Sequence, residues 1–138
     1  LYRAHLCLCN DTASHGRLEV LQWARAEGNP WDAVTCSYAA GRGHLEALQW
    51  ARANGCPWDA ITCWCAAFGG ELEVLQCARA YGCPWDAYTC SLAAERVHLE
   101  VVQWARANGC PLNIFTWSFC DNDGIKEWLI ANNCPGSN

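Results

Sequence analysis

Cysteine and histidine are the residue types in this sequence that could carry chemistry. Twelve cysteines and four histidines lie among 138 residues. Two C-x-C pairs, Cys7 with Cys9 and Cys63 with Cys65, suggest zinc, which needs about four ligands in a tetrahedron. Residues i and i+2 of a helix point about 200° apart, so Cys63 and Cys65 cannot share an ion. Because no second Cys or His pair follows at finger-like spacing, we predict no metal site.

A cysteine–histidine nucleophile is the catalytic chemistry that these residue types would allow. However, the cysteines recur at a regular interval instead of standing apart, and His44 and His98 occupy equivalent points of the pattern. No phosphate-binding glycine loop is recognisable, since every glycine except Gly136 lies where a helix is expected to end. We therefore predict no catalytic residue, no cofactor and no enzymatic activity, and a Cys/His enzyme ranks last among the hypotheses.

The interval that orders the cysteines also orders the whole chain. Trp31, Trp58 and Trp85 lie 27 residues apart, and self-similarity at such a period is typical of solenoids. The same interval relates Pro30, Pro57, Pro84 and Pro111, and it relates Arg25, Arg52, Arg79 and Arg106. We predict one repeat domain over residues 1–138. Its copies are 4–30, which matches only in its second half, the full copies 31–57, 58–84 and 85–111, and the shortened copy 112–135.

Local signals within the copy 31–57 predict two helices. Asp32 is a good N-cap, because its carboxylate can accept from the free N–H groups of a first turn, and a helix over about 33–41 follows it. A second helix over about 45–53 ends at Gly55, which supplies the left-handed residue. The turn N-G-C-P-W-D-A therefore ends one repeat and caps the next. The copies 58–84 and 85–111 carry the same signals, so we expect six helices in antiparallel pairs over residues 31–111 and no β-strand.

The first helix of each copy has one half that repeats and one half that varies. Neighbouring copies must stack through the repeating half, which holds Thr, Cys and an Ala-Ala pair. The varying half is rich in large apolar side chains, and an exposed apolar patch commonly marks a partner surface. We predict a protein-binding face made of Tyr38, Arg42, Ile61, Trp64, Phe68, Tyr88, Leu92, Glu95, Arg96, Phe115 and Phe119. The alternative is that the columns of residues 34 and 38 tuck between the two helices of their own repeat.

The two helices of a copy are expected to have different roles. On the second helix, Glu46 in the first turn and Arg52 in the last turn suit the helix dipole, so we assign the arginine column to a solvated face. On the first helix, Trp64 and Phe68 are expected to bind a partner without supporting the stack. Stacking should depend only on the opposite half of that helix.

The cysteines form two columns that we predict to be reduced. One column is Cys56, Cys83 and Cys110, and the other is Cys36, Cys63 and Cys90. Helices of neighbouring repeats lie roughly 8–10 Å apart, whereas a disulfide needs Cα atoms within roughly 7 Å. Members of one column therefore cannot bridge. We expect apolar packing residues and a reducing intracellular compartment, cytoplasmic or plastid.

Composition excludes two classes of protein. Fourteen acidic against nine basic side chains give a net charge of −5, which argues against nucleic acid because phosphate affinity comes from clustered cations. No run of about 18 apolar residues is present that could span a membrane. The first eight residues are too short for a signal peptide and the initiator methionine is absent, so we expect a processed or incomplete N-terminus.

The repeat is similar to a known family. Its pattern W-D-x-x-T-C-x-x-A-A-x-x-G-H-L-E-x-L-Q-W-x-R-x-N-G-C-P resembles the short ankyrin-type repeat that abounds in predicted proteins of algae, other protists and giant DNA viruses. Cys36, Cys63 and Cys90 would occupy the buried leucine position of an ordinary ankyrin repeat, and several residues are missing where that repeat carries its β-hairpin. The resemblance covers roughly residues 14–135. It implies an all-α, ankyrin-like helix-turn-helix solenoid of about five repeats, without β-hairpins and with a concave first-helix side.

This resemblance implies a protein-interaction module that acts as an adaptor, a scaffold or a stabilising subunit of a larger complex. It also implies a structural role for His44 and His98. In the wider family the two residues after the Ala-Ala pair are frequent contact positions, and here they are Gly41-Arg42, Phe68-Gly69 and Glu95-Arg96. The alternative hypothesis is a peripheral subunit docked on a membrane-embedded complex, with a plastid photosynthetic complex as one candidate. Copurification would distinguish the two.

Overall fold

A computed structural model of the chain describes residues 2–136, with side chains from residue 8 onward. Over that range the regular structure is ten α-helices and no β-strand. They are α1 Tyr2–Ser14, α2 Leu18–Ala26, α3 Ala33–Gly41, α4 Leu45–Ala53, α5 Ala60–Phe68, α6 Leu72–Ala80, α7 Ala87–Glu95, α8 Leu99–Ala107, α9 Ile114–Ser118 and α10 Asp123–Ala131. Odd-numbered helices are the first helices of five successive copies and even-numbered ones are the second helices. The prediction of an all-α helix-turn-helix solenoid without β-hairpins is confirmed.

Side-chain caps start the first helix of every copy from the second to the fifth. Asp32, Asp59, Asp86 and Asn113 each accept from the backbone N–H two residues later, at 2.9–3.0 Å. The predicted end of α4 is also present, since Gly55 has a φ of 88°. Local signals thus set the helix ends, and the bounds of α3 and α4 agree with the predicted ones.

The upstream copy contains a complete first helix, although its letters match the repeat only in the second half. Helix α1 packs against α3 as α3 packs against α5. Cys9 and Ala13 keep the interval to Cys36 and Ala40, and all four are fully buried. The small residues at these contact points indicate α1 in the sequence. Matching the complete repeat motif does not detect them, because the other letters of the first half differ.

The core lies between the helices of successive copies. First helices pack against each other in the order α1, α3, α5, α7 and α9, whereas second helices approach each other less closely. Closer packing on the first-helix side makes that side the inner one. Glycine permits the tightest approach, at the ends of α3 and α5, because a Cβ on Gly69 would collide with the carbonyl oxygen of Gly41.

Histidines tie two of the second helices to the copy before them. The Nε2 atom of His44 lies 2.9 Å from the carbonyl oxygen of Ser14, and that of His98 lies 3.0 Å from the carbonyl oxygen of Phe68. Both carbonyl groups belong to the last turn of a first helix, where intrahelical partners are missing. These contacts give the two histidines a structural role.

The position that contacts the ring of each of these histidines requires glycine for two reasons. Gly16 and Gly70 have φ angles of 66° and 72°, and an added Cβ would collide with the ring of His44 or His98. At the equivalent position of the fourth copy the chain has Val97, with a φ of 65°. Its side chain is 52 % exposed, so space is available, but a β-branched residue is strained in this region.

Replacing Val97 by glycine should stabilise the protein. Relief of the backbone strain is expected to raise the free energy of unfolding by about 1 kcal/mol. The greater conformational entropy of glycine in the unfolded chain offsets part of this gain. Urea unfolding followed by circular dichroism would measure the change. As the matched control, Gly70→Ala should destabilise, because its methyl group would meet the ring of His98. A Val97→Gly protein no more stable than the parent would contradict the strain argument.

Candidate protein-binding face

The varying half of the first helices is exposed. Seven of its large apolar side chains expose 40–49 % of their surface, namely Val34, Tyr38, Ile61, Phe68, Tyr88, Phe115 and Phe119. The column of residue 34 is thus open from the second copy to the fifth, and the alternative that it tucks between helices is wrong for these copies. In the column of residue 38, Cys65 and Leu92 are half-buried, so this column is open at its two ends and partly closed in between.

Four aromatic side chains form a continuous row across α5, α7 and α9, which we call the ring row: Trp64, Tyr88, Phe115 and Phe119. Successive ring centroids are 5.3, 6.2 and 5.5 Å apart, and the last two contacts are stacked. Aromatic pairs at these separations add stability beyond the area that they bury. The rings therefore hold one another in place on an open surface.

Charged side chains lie beside the exposed apolar residues, at the ends of α3 and α7. The guanidinium of Arg96 lies over the ring of Phe68, 4.9 Å from its centroid, in the geometry of a cation–π contact. Phe68 is itself 44 % exposed, so this contact covers only part of its ring. Arg42 and Glu95 are also exposed. The structure therefore places the predicted charged residues at the edge of the apolar face.

Six of the predicted residues line a single open groove of about 330 Å³: Tyr38, Arg42, Ile61, Trp64, Phe68 and Leu92. Gly41 and Cys65 complete its floor, where α3 and α5 approach closely. The other predicted residues lie outside this groove, and Tyr88, Phe115 and Phe119 extend the face along the stack. The surface is thus a groove in the middle copies followed by a row of rings.

Trp64 does more than the sequence indicated. Its indole N–H donates to Oδ1 of Asp86 at 2.8 Å, and the same carboxylate oxygen caps α7. The expectation that Trp64 leaves the stack unsupported is therefore wrong. In the first copy the equivalent residue is Asn10, which accepts a hydrogen bond from Thr35 at 2.7 Å. In both copies this position links one first helix to the beginning of the next.

The exposed face becomes polar toward α1. Asp11 and His15 are exposed there and lie 3.4 Å apart, one helical turn from each other. The side-chain oxygen of Asn10 accepts a hydrogen bond from Thr35, and the carbonyl oxygen of Ser14 accepts one from His44. The apolar part of the face therefore begins at α3.

The two cysteine columns meet inside the stack, which sequence reasoning missed because it considered bridges within one column only. The contacting thiols are Cys36 with Cys56, Cys63 with Cys83, and Cys90 with Cys110. The hydrogen bond that Cys36 donates raises its own pKa and lowers the pKa of Cys56. The pair of Cys63 and Cys83 behaves in the same way, with the pKa raised on the first thiol and lowered on the second.

These paired cysteines are free thiols, and they are 0–1 % exposed. Cys56 also lies 3.3 Å from the carbonyl oxygen of Asp32, and Cys83 lies 3.4 Å from that of Asp59. Each turn cysteine therefore contacts the N-cap residue of its own copy. In contrast to Cys63, which faces Cys83, Cys65 lies in the groove. Among the described residues no three His, Cys, Asp or Glu side chains converge as metal ligands.

Thiol labelling should distinguish the fully buried, paired thiols from the half-buried, unpaired ones. Full reaction in denaturant is expected to return all 12 cysteines of the sequence. Among the cysteines whose side chains the structure describes, the half-buried Cys65 and Cys77 should react first in the native protein. The six paired thiols should be slower by about a hundredfold or more, because they need local opening. Maleimide labelling followed by peptide mass spectrometry measures both quantities. A denatured count well below the full number would show that disulfides exist.

The arginine column clamps consecutive copies together. Arg25, Arg52 and Arg79 lie over Trp31, Trp58 and Trp85, each 4.2 Å from a ring centroid. Each guanidinium also donates to a carbonyl oxygen of the following turn, at 2.5–2.6 Å. The arginine thus fixes the turn that ends its own copy and the tryptophan that begins the next. The assignment of this column to a solvated face was wrong for these three residues.

Loss of one clamp should destabilise the protein without changing the binding face. Arg79→Met keeps the apolar stem but loses the charged hydrogen bond and the cation–π contact, so we expect a cost of about 1–3 kcal/mol. Arg106→Met is the matched control, because Leu112 stands there in place of tryptophan, and its cost should be smaller. Urea unfolding measures both variants. Equal costs would contradict the clamp.

Comparison with known proteins adds no relative. No family model matches the sequence, and no curated protein is detectably similar to it. The relation to short ankyrin-type repeats therefore stays a prediction that rests on the repeat pattern.

Within the described residues, none of the helices is both long enough and apolar enough to cross a membrane.

Proposed function

We propose that this chain is a protein-interaction module that acts as an adaptor, a scaffold or a structural subunit of a larger complex. The partner protein would bind to the exposed half of the first helices. The observation that carries the proposal is the continuous apolar surface formed by the groove and the ring row, on the side that stacking leaves free. The resemblance to ankyrin-type repeats supports the same role.

The composition of this surface suits an interface. Aromatic residues and arginines dominate the binding energy of protein interfaces, and here Arg96 is already held over Phe68. Tyr88, Phe115 and Phe119 restrain one another by stacking, so fewer rotamers would be lost on association. A partner that offers apolar side chains to the rings and an acidic group to Arg42 or Arg96 would fit.

Other functions have less support. The net charge of −5 opposes binding of a polyanion, because phosphate affinity depends on clustered cations. His44 and His98 do not offer a free ring nitrogen Nε2 for catalysis, because each Nε2 atom contacts a carbonyl oxygen of the preceding copy. We therefore infer that the chain has no enzymatic role and that its apolar face serves assembly.

The proposal predicts that Tyr38→Ser combined with Phe68→Ser weakens partner binding by about 2 kcal/mol or more. Both rings are 44–49 % exposed, so the helical circular dichroism should persist. Quantitative mass spectrometry of copurifying proteins identifies the partner, and titration with the purified partner gives the change in affinity. Trp64 is left intact in this variant because it bonds to Asp86.

Trp23→Ser is the matched control for the double variant. Trp23 is 56 % exposed and lies on α2, away from the first-helix face. Its replacement removes a large exposed ring but should leave the affinity for the partner unchanged. If Trp23→Ser abolished binding and the double variant retained it, the partner would bind the second-helix side and the proposal would be wrong.

A further inference from the structure

The second helices leave a series of equivalent clefts on the outer side of the stack. One cleft lies between α2 and α4, the next between α4 and α6, and the third between α6 and α8. Their volumes are about 290, 490 and 330 Å³. The middle cleft is therefore much larger than its two neighbours, although the three are built from the same repeat positions.

The middle cleft lacks an indole ring that both of its neighbours have. In the two smaller clefts Trp50 and Trp104 extend from the second helix and contact Trp31 and Trp85 edge-on, with ring centroids 5.7 Å apart. Cys77 stands at the same repeat position in the middle cleft. Trp58 therefore lines that cleft without the edge-on ring that its counterparts have.

Apart from Tyr81, which stands where the neighbouring clefts have Asn54 and Asn108, the arrangement is retained around this gap. Arg52 lies over Trp58 at 4.2 Å, as in the neighbouring copies, and its guanidinium is held by the carbonyl oxygen of Cys56. The fully buried Leu48 contributes to the wall of the cleft. Polar groups lie at the edge, where the amide nitrogen of Gln49 is 3.6 Å from the sulfur of Cys77. Tyr81, which is 73 % exposed, stands beside them.

We propose that the cleft between α4 and α6 is a binding site for a planar aromatic group of indole size. The group would occupy the place that the rings of Trp50 and Trp104 fill in the neighbouring clefts and would contact Trp58 edge-on. Edge-to-face contacts at 4.5–7 Å are a preferred arrangement of aromatic rings. The volume lies within the range of small-molecule pockets, which combine apolar and aromatic walls with a few polar groups.

Calorimetric titration of the full chain with indole tests the site. We expect saturable binding with a stoichiometry of about one and Cys77→Ser to behave like the parent. Cys77→Trp restores the side chain of the neighbouring copies, so it should weaken indole binding by at least about tenfold. Circular dichroism verifies the fold of each variant. No saturable binding by the parent, or equal binding by Cys77→Trp, would overturn the proposal.

A second variant makes the test independent of how Cys77→Trp folds. Trp50→Cys creates, between α2 and α4, the gap that the middle cleft already has, and the chain tolerates cysteine at this repeat position. Its indole stoichiometry should rise to about two, since the two clefts share their glutamine, arginine, alanine and first tryptophan. A stoichiometry unchanged from the parent would show that the missing ring does not create a site.

Two ligands distinguish the source of the aromatic group. Free indole represents a small molecule, and N-acetyltryptophanamide represents a tryptophan in a protein chain. Binding of indole alone identifies a small-molecule site, whereas tighter binding of the amide identifies a site for a protein side chain. The cleft lies on the opposite side from the ring row, so Cys77→Trp should still capture the partner of the first-helix face. The two proposals can therefore fail separately.

Discussion

Successive first helices can stack only if the side chains between them are small, and the other features of the molecule follow from this constraint. Cysteine and alanine fill the contact, as Cys36, Cys63 and Ala67 show by their complete burial. An extra methylene in such a close-packed interior typically costs 1–3 kcal/mol. Large side chains on these helices must therefore point to the free half, where they form the groove and the ring row.

Close stacking on one side has a consequence on the other. Second helices approach each other less closely than first helices, so the chain needs other contacts to join consecutive copies there. Arg52 provides one by binding the turn of its own copy and covering Trp58 of the next. The recurring turn is thus a joint as well as a helix end, which explains why its glycine, proline and tryptophan recur together.

Features that depend on local sequence could be predicted, and features that depend on packing could not. The N-cap at Asp32 and the end of α4 at Gly55 follow from a few neighbouring residues, so their positions were correct. The contact between Cys36 and Cys56 joins two segments 20 residues apart and depends on how the turn packs beneath the helix. The bond from Trp64 to Asp86 crosses from one copy to the next, and the composition of either copy alone gives no indication of it.

A repeat protein contains its own controls, because each position occurs several times in nearly the same surroundings. Where a position departs from its column, the structure shows whether the neighbours compensate. Val97 departs from a glycine column and keeps a strained φ of 65°. Cys77 departs from a tryptophan column, and the neighbouring side chains leave a cleft of about 490 Å³. Stacking alone would favour filling that space, as Trp50 and Trp104 do. Because Arg52 and Trp58 keep the contact of the neighbouring copies beside this space, the unfilled cleft supports the proposed binding site more strongly than a cleft of the same volume would in a protein without repeats.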